Sequence, residues 1–241
     1  MSKVYDTIPK DFYVQAIFNS IASKYDLMNG MMSFGIHYLW RKVLIQFIQA
    51  QNMSTILDVC CGTGAVTIEL ARKSGPNTKI IGLDFSKAML GIAETRLKDF
   101  ISAKKVELIQ ANATTIPFSD DSFDGVTIAY GLRNAADPMA VLKELKRVTK
   151  PGGKVVSLEL IKPDSKRLQF LYNIYLHYWI PILGKILVHN GDAYHYLHDS
   201  IFSFIHQEQL SALFKKSGFQ QIQCFRLKLG IATIHIGIKP L

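Results

Sequence analysis

Between Ser54 and Leu160, short apolar runs alternate with helical patterns five times, and few folds accommodate that order. Ser54–Cys60 (STILDVC), Lys79–Asp84, Val106–Gln110, Phe123–Ala129 and Lys154–Leu160 read as buried strands: apolar on both faces and closed by turn residues. Ala65–Lys73 reads as a helix, Ser86 as the N-cap of a second, and Pro138 as the first position of a third after Asp137. Strands alternating with helices build a parallel sheet covered on both faces. The tail departs from this rule. Residues 207–217 read as a helix stopped by Gly218, and Phe219–Leu227 and Ala232–Ile238 as strands joined by too few residues for a parallel crossover. The fold class expected is α/β, a Rossmann-like parallel sheet ending in an antiparallel hairpin.

The flanks are different in kind. Residues 10–23 carry helical spacing, residues 25–40 (YDLMNGMMSFGIHYLW) read as a loop, and a helix continues to about Ala50. Residues 161–206 hold nine of the 26 aromatic residues and five of the seven histidines, which marks an insertion. The expected organisation is one domain, 1–241, with an N-terminal helical lid (1–50) and an aromatic insertion (161–206). Hydrophobic residues at 49% and charged residues at 20% suit a packed core. A net charge of +9 favours anionic partners, yet no block of five like charges suggests a nucleic-acid arm. Cys60, Cys61 and Cys224 form neither a disulfide framework nor a metal knuckle, which fits a reducing cytosol. No signal-peptide core and no uninterrupted membrane-length apolar stretch is legible, so a cytoplasmic location without a membrane span is expected.

LDVCCGTGA places Asp58 at a strand end and Gly62-Thr63-Gly64 at the turn into a helix. Glycines permit a sharp bend and close approach of a ligand, and helix-start amides offer donors to an anion. Asp84, ending the second strand, is placed to accept hydrogen bonds from ribose hydroxyls, and Asn112-Ala113, after the third, to hold an adenine. A nicotinamide-binding unit shares much of this logic. Two features favour S-adenosylmethionine instead: Thr67 stands where the third glycine of a dinucleotide fingerprint would be, and Asp58 lies four residues before Gly62. The competing reading of Asp58 is a strand-end turn acid.

The chain resembles the menaquinone/ubiquinone-biosynthesis C-methyltransferase family, whose fold is that of class I methyltransferases. The likeness is carried by YDLMNGMMSFGIHYLW (25–40), LDVCCGTG (57–64), GLD (82–84), QANA (110–113), IPFSDDSFD (116–124), YGLRN (130–134), RVTKPGG (147–153), LELIKP (158–163) and DAYHYLHDSI (192–201). It implies contacts to S-adenosylmethionine at Thr63, Asp84, Asn112 and Ala113. The chain departs from the family pattern at Ala65, where an acid is common, at Ala129, where a serine is common, and at Glu159-Leu160-Ile161. The activity implied is methylation of a ring carbon of a polyprenyl quinol, demethylmenaquinol to menaquinol. A methoxybenzoquinol, the ubiquinone precursor, or another hydrophobic aromatic stays open as the acceptor.

A neutral quinol carbon is a poor nucleophile until a flanking hydroxyl ionises, so the site needs a proton acceptor and a stabiliser of the phenolate. Arg133 is the candidate stabiliser and Asn134 the candidate orienting group; a structural ion-pair arginine is the competing reading. His37 or Tyr25, in a lid over the cofactor, is the candidate proton acceptor, while Trp40 reads as packing. His189, His195 and His198 lack metal-site spacing, and no metal is expected. Phe170, Tyr172, Ile174, Tyr175, Tyr178 and Trp179, flanked by Lys162, Lys166, Arg167 and Lys185, suit either a buried helix pair or a bilayer interface. The partners expected are the quinol, the inner membrane face by peripheral contact, and a second copy of the chain, with no nucleic acid. An RNA-type Asn/Asp-Pro-Pro-aromatic motif is replaced by Ala129-Tyr130-Gly131-Leu132. An oxidoreductase and a non-catalytic cofactor-binding protein are the readings from other classes.

Overall fold

The computed structural model describes residues 9–50, 53–163, 165–179, 192–227 and 230–241. The side chains of 179, 192–195, 197 and 198 also lie outside that description, so the calls on Trp179, Lys185, His189, His195 and His198 do too. The strands are β1 (Thr55–Val59), β2 (Lys79–Asp84), β3 (Val106–Gln110), β4 (Phe123–Ala129), β5 (Thr149–Leu160), β6 (Gln220–Arg226) and β7 (Ala232–Ile238). They form one sheet in the order β3-β2-β1-β4-β5-β7-β6. The first five are parallel, and β7 runs antiparallel to both β5 and β6. The expected alternation and closing hairpin are therefore both present.

Between the strands lie α4 (Ala65–Lys73), α5 (Lys87–Ser102) and α6 (Pro138–Val148). Ser86 caps α5 by accepting from the Met89 amide, and Asp137 caps α6 by accepting from Met139 and Ala140. Strand residues divide by parity. Ile56 and Ile80 face a cluster with Leu44, Ile48, Leu70 and Leu97, whereas Leu57 and Ile81 face Leu142, Leu145, Leu210 and Phe214. β5 begins earlier than expected. Its Pro-Gly-Gly segment bulges between two pairs, Phe123 with Thr149 and Gly125 with Lys154, and Gly152 and Gly153 exchange hydrogen bonds with Lys239.

The N-terminal region is α1 (Lys10–Ile21), a short 3-10 turn, α2 (Tyr25–Met32) and α3 (Ile36–Ile48). This corrects the expectation of a loop over 25–40. Asn29-Gly30 suggests a turn, but both residues are helical, and the chain breaks later at Phe34 (φ 47°) and Gly35 (φ 76°). There the Gly35 amide reaches back to the Gly30 carbonyl and the Ser33 amide to that of Asn29, a left-handed helix stop. The insertion contributes α7 (Lys166–Ile174), a π-turn over Tyr175–Trp179, and α8 (Asp192–Ser203); α9 (Gln207–Lys216) precedes β6. α1, α2, α7 and α8 share a third core around Ile17, Ile21, Met28, Leu176 and Ile201. Among the described residues, no helix is long and apolar enough to cross a membrane.

Candidate active site

The sheet order reverses direction between β1 and β4, and a crevice opens at the carboxyl ends of those strands. Two adjoining cavities occupy it. One, of about 770 Å³, is lined by Asp84, Phe85, Ala111, Asn112, Ala113 and Met89 on the sheet side and by Asp11, Val14 and Phe18 of α1. The other, of about 1010 Å³, is lined by His37, Trp40, Arg41, Asp58, Thr63, Arg133, Tyr172, Tyr175 and Ile201 among others. Tyr25, Cys60, Gly62, Ala129 and Tyr130 belong to both walls, so the two volumes meet there.

β1 runs into α4 through a turn with three residues of unusual backbone. Cys60 (φ 56°), Gly62 (φ 56°) and Gly64 (φ 77°) are all left-handed, and a Cβ on Gly62 would project into open space. That empty approach is what a ligand lying against the backbone requires. Asp84, 5% exposed, accepts from the Gly62 amide at 2.8 Å and from the Ser86 amide at 2.9 Å. Burial pushes its carboxyl above the ordinary range against those two bonds. Within the glycine turn, before the helix starts, two amides are engaged: Gly62 donates to Asp84, and Gly64 donates to the Cys61 carbonyl. Asp84 therefore both shapes the turn and keeps lone pairs toward the cavity.

Asp58 is buried, and its two oxygens accept from Thr67 (2.7 Å) and Thr127 (2.8 Å). Burial raises its pKa to about 6, with the two hydroxyls opposing. Thr67, in place of a third glycine, thus serves to hold this acid. Asn112 is exposed at the mouth, where its Oδ1 accepts from the amide and hydroxyl of Thr114, and Ala113 lines the first cavity beside it. The Thr63 hydroxyl donates to Asp26 of α2 at 2.9 Å, and Arg96 of α5 clamps both the Thr63 carbonyl (2.9 Å) and Asp26. Arg96 does not stand out in sequence; with Asp26 it ties α2 to the glycine turn.

Arg133 is not an isolated cation. It is buried at 8% exposure, and its guanidinium donates to Glu159 at 3.0 Å and to the Tyr130 carbonyl at 3.0 Å. Glu159, at the end of β5, also accepts from the Leu132 amide at 2.7 Å. Burial acts to lower the Arg133 pKa, but the carboxylate opposite outweighs it and keeps the guanidinium charged. The ion-pair reading of Arg133 therefore holds, and the residue still lines the second cavity, with Nε buried and unpartnered. An acid inside the largely apolar VVSLEL run is the sequence signal for Glu159, since a buried charge needs a partner.

Asn134 lines the first cavity, and its amide is held by the protein. Its Nδ2 donates to the Tyr130 carbonyl (2.7 Å) and its Oδ1 accepts from the Tyr196 hydroxyl of α8 (2.9 Å), so both ends are engaged. Tyr25 faces both cavities, but burial raises its pKa and keeps the phenol protonated at neutral pH, which corrects its candidacy as proton acceptor. His37 has the opposite character. Burial first and Arg41 second lower its pKa to about 4, against a smaller pull from Asp26, so the ring is neutral. Its position in the first turn of α3 acts in the same direction. Trp40 packs in the core as expected, though its indole nitrogen is buried without a partner beside the second cavity.

Residues 6–239 match the ubiE/COQ5 methyltransferase family. The chain belongs to that family. The methyltransferase is 41% identical over 231 residues to a demethylmenaquinone methyltransferase of Bacillus cytotoxicus, covering 96% of this chain and 97% of the relative. A protein of the same name from Bacillus cereus is 40% identical over the same spans. Among solved structures, a SAM-dependent methyltransferase from Aquifex aeolicus superposes with TM-score 0.58 at 19% identity, covering 83% of this chain and 89% of its own. The YcgJ protein of Bacillus subtilis gives TM-score 0.61 at 17% identity, over 85% and 100%. These two likenesses show the fold. The enzyme is a class I methyltransferase and its methyl donor is S-adenosylmethionine, which removes the oxidoreductase reading. The residues present suit that donor: open space over Gly62, a buried acid at the end of β2, and Ala113 and Met89 as apolar walls of the cleft.

Proposed function

We propose that this methyltransferase acts on a ring carbon of a polyprenyl quinol, with reduced demethylmenaquinone, for which its Bacillus relatives are named, as the acceptor. The observation that carries this reading is the chemistry of the second cavity. Its wall is aromatic and aliphatic (Trp40, Tyr172, Tyr175, Leu176, Ile201), yet Trp40 Nε1, Arg41 Nε, the Tyr130 hydroxyl and Arg133 Nε stand around it buried and unpartnered. Buried donors without acceptors are costly, about 1–3 kcal/mol each, unless a ligand supplies oxygens. A flat apolar ring bearing two hydroxyls supplies them.

S-adenosylmethionine, when bound, provides an electrophilic methyl group on a sulfonium. The chain's own residues prepare the acceptor. His37 takes the proton of a ring hydroxyl, which drives electron density onto the adjacent ring carbon. The Arg133–Glu159 pair is neutral as a unit, so Arg133 acts as a fixed hydrogen-bond donor to the developing quinolate; one such donor is worth about 10²–10³ in rate. Tyr25 and Tyr130 stay protonated and exclude water at the junction of the cavities. Incubation with methyl-labelled S-adenosylmethionine and either reduced demethylmenaquinone or the reduced methoxybenzoquinone precursor tests the assignment. Mass analysis should show the methyl on the naphthoquinol ring; labelling of the benzoquinol alone would overturn it.

The same reading places the acceptor cavity against an anionic bilayer. Phe34 is 73% exposed, Phe170 66% and Tyr178 63%, and Leu27, Leu39 and Leu171 are exposed as well. Phe34 lies 6.2 Å from the ring of Tyr175, a cavity wall residue, so the apolar rims of the lid and the insertion are continuous. Lys42 on α3 and Lys166 and Arg167 on α7 are exposed cations of the same two regions, suited to anionic headgroups.

A further inference from the structure

We infer that Ser33 is a positioning residue that decides which nitrogen of His37 is basic; the inference rests on His37 being the proton acceptor. The decisive fact is a count of hydrogens. The Ser33 hydroxyl has one, and its Oγ lies 2.6 Å from the Asn29 carbonyl oxygen, which can only accept. The hydrogen is therefore committed to Asn29. The same Oγ lies 2.5 Å from His37 Nδ1, and toward that atom it has only lone pairs to offer. His37 Nδ1 must then be the donor. A neutral imidazole carries a single N–H, so Nε2 is left with the free lone pair, in a residue that lines the acceptor cavity.

The backbone makes the relay possible. The Asn29 carbonyl is fixed because it also receives the Ser33 amide at 3.0 Å as α2 ends. The left-handed pair Phe34-Gly35 then folds the chain so that the first residue beyond α2 meets the first turn of α3. Arg41 on α3 and Asp26 on α2 are the charged groups that bear on the ring, and their opposed effects leave burial to keep it neutral. During proton transfer the ring O–H bond breaks, its electron pair stays on the ring oxygen, and the proton takes the Nε2 lone pair. The Nδ1–H meanwhile remains on Ser33 Oγ, which stabilises the imidazolium so formed. In the opposite tautomer Nε2 would present a hydrogen and no base at all.

The test begins without substrate. In the full chain carrying isotope-labelled histidine, long-range proton–nitrogen correlation at neutral pH should report His37 as the Nδ1–H tautomer. Ser33→Ala should shift it toward Nε2–H and Ser33→Thr, which keeps the hydroxyl, should restore it. In parallel, kcat should fall about tenfold in Ser33→Ala, the worth of one hydrogen bond, and recover in Ser33→Thr, with donor affinity unchanged in both. An Nε2–H tautomer in the unsubstituted enzyme, or no tautomer change in Ser33→Ala, overturns the inference. A tautomer change with kcat unaltered instead overturns the role of His37, and so the reading on which the inference rests.

Discussion

The two cavities meet at one crevice but are built in different ways. The donor cleft takes its floor from strand ends and the turns after β1, β2 and β3, where register and left-handed backbone fix each group. The acceptor cavity takes its roof from helices at opposite ends of the chain, α2 and α3 on one side and α7 and α8 on the other. Among the described residues, Tyr175 to the Met32 carbonyl, Tyr196 to Asn134, and Asp26 to Thr63 and Arg96 tie that roof down, beside the apolar core around Ile21, Met28, Leu176 and Ile201. The difference teaches that the donor cleft has a floor fixed by the sheet, closed from one side by α1, whereas the acceptor cavity depends on how several flanking helices pack together.

That contrast can be broken by substitution. His37→Ala should lower kcat by about 10²–10⁴, the range for a lost general base, while calorimetry finds donor affinity unchanged; loss of both together would erase the distinction. Glu159→Ala leaves Arg133 as an uncompensated buried charge and should cost about 3–5 kcal/mol in denaturant unfolding. Asp84→Ala removes the acceptor of two backbone amides, and donor affinity should fall about 100-fold by calorimetry, two hydrogen bonds to a charged group being at stake. Phe34→Ser should weaken flotation with anionic vesicles about tenfold, the burial of one large apolar side chain being roughly 1.5–3 kcal/mol, and leave donor affinity intact. The smallest effect concerns pH. Because His37 is depressed to about 4, it stays unprotonated down to that value, and protonation removes the base only below it. The acid limb of kcat/KM should therefore fall near pH 4, and a limb near the ordinary histidine value would remove the assignment.

Legibility followed the same division. β1 to β5 and their caps could be read because buried parallel strands are apolar without interruption and Ser86 and Asp137 cap in sequence-local geometry. Asp58, Gly62 and Asp84 could be placed for the same reason. The α2–α3 break was hidden because Asn29-Gly30 carries a stronger turn signal than Phe34-Gly35, although tertiary packing of Met28 keeps the former helical. The engagement of Asn134 by Tyr196 spans 62 positions and leaves no local trace. The IPFSDDSFD motif, specific as it is, serves architecture: Arg147 holds the Ile116 and Phe118 carbonyls and pairs with Asp120 and Glu144, away from the crevice.

Because Tyr175 reaches Met32 and the ring of Tyr196 meets that of Tyr13, both in the opening helices, the roof cannot be finished until the stretch after β5 has left the ribosome. A nascent chain holding only the early strands already carries the floor under the nucleoside, since Gly62 and Asp84 are bonded across only 22 positions. The oily chamber is sealed late, so the period in which its greasy lining meets solvent is confined to the close of synthesis.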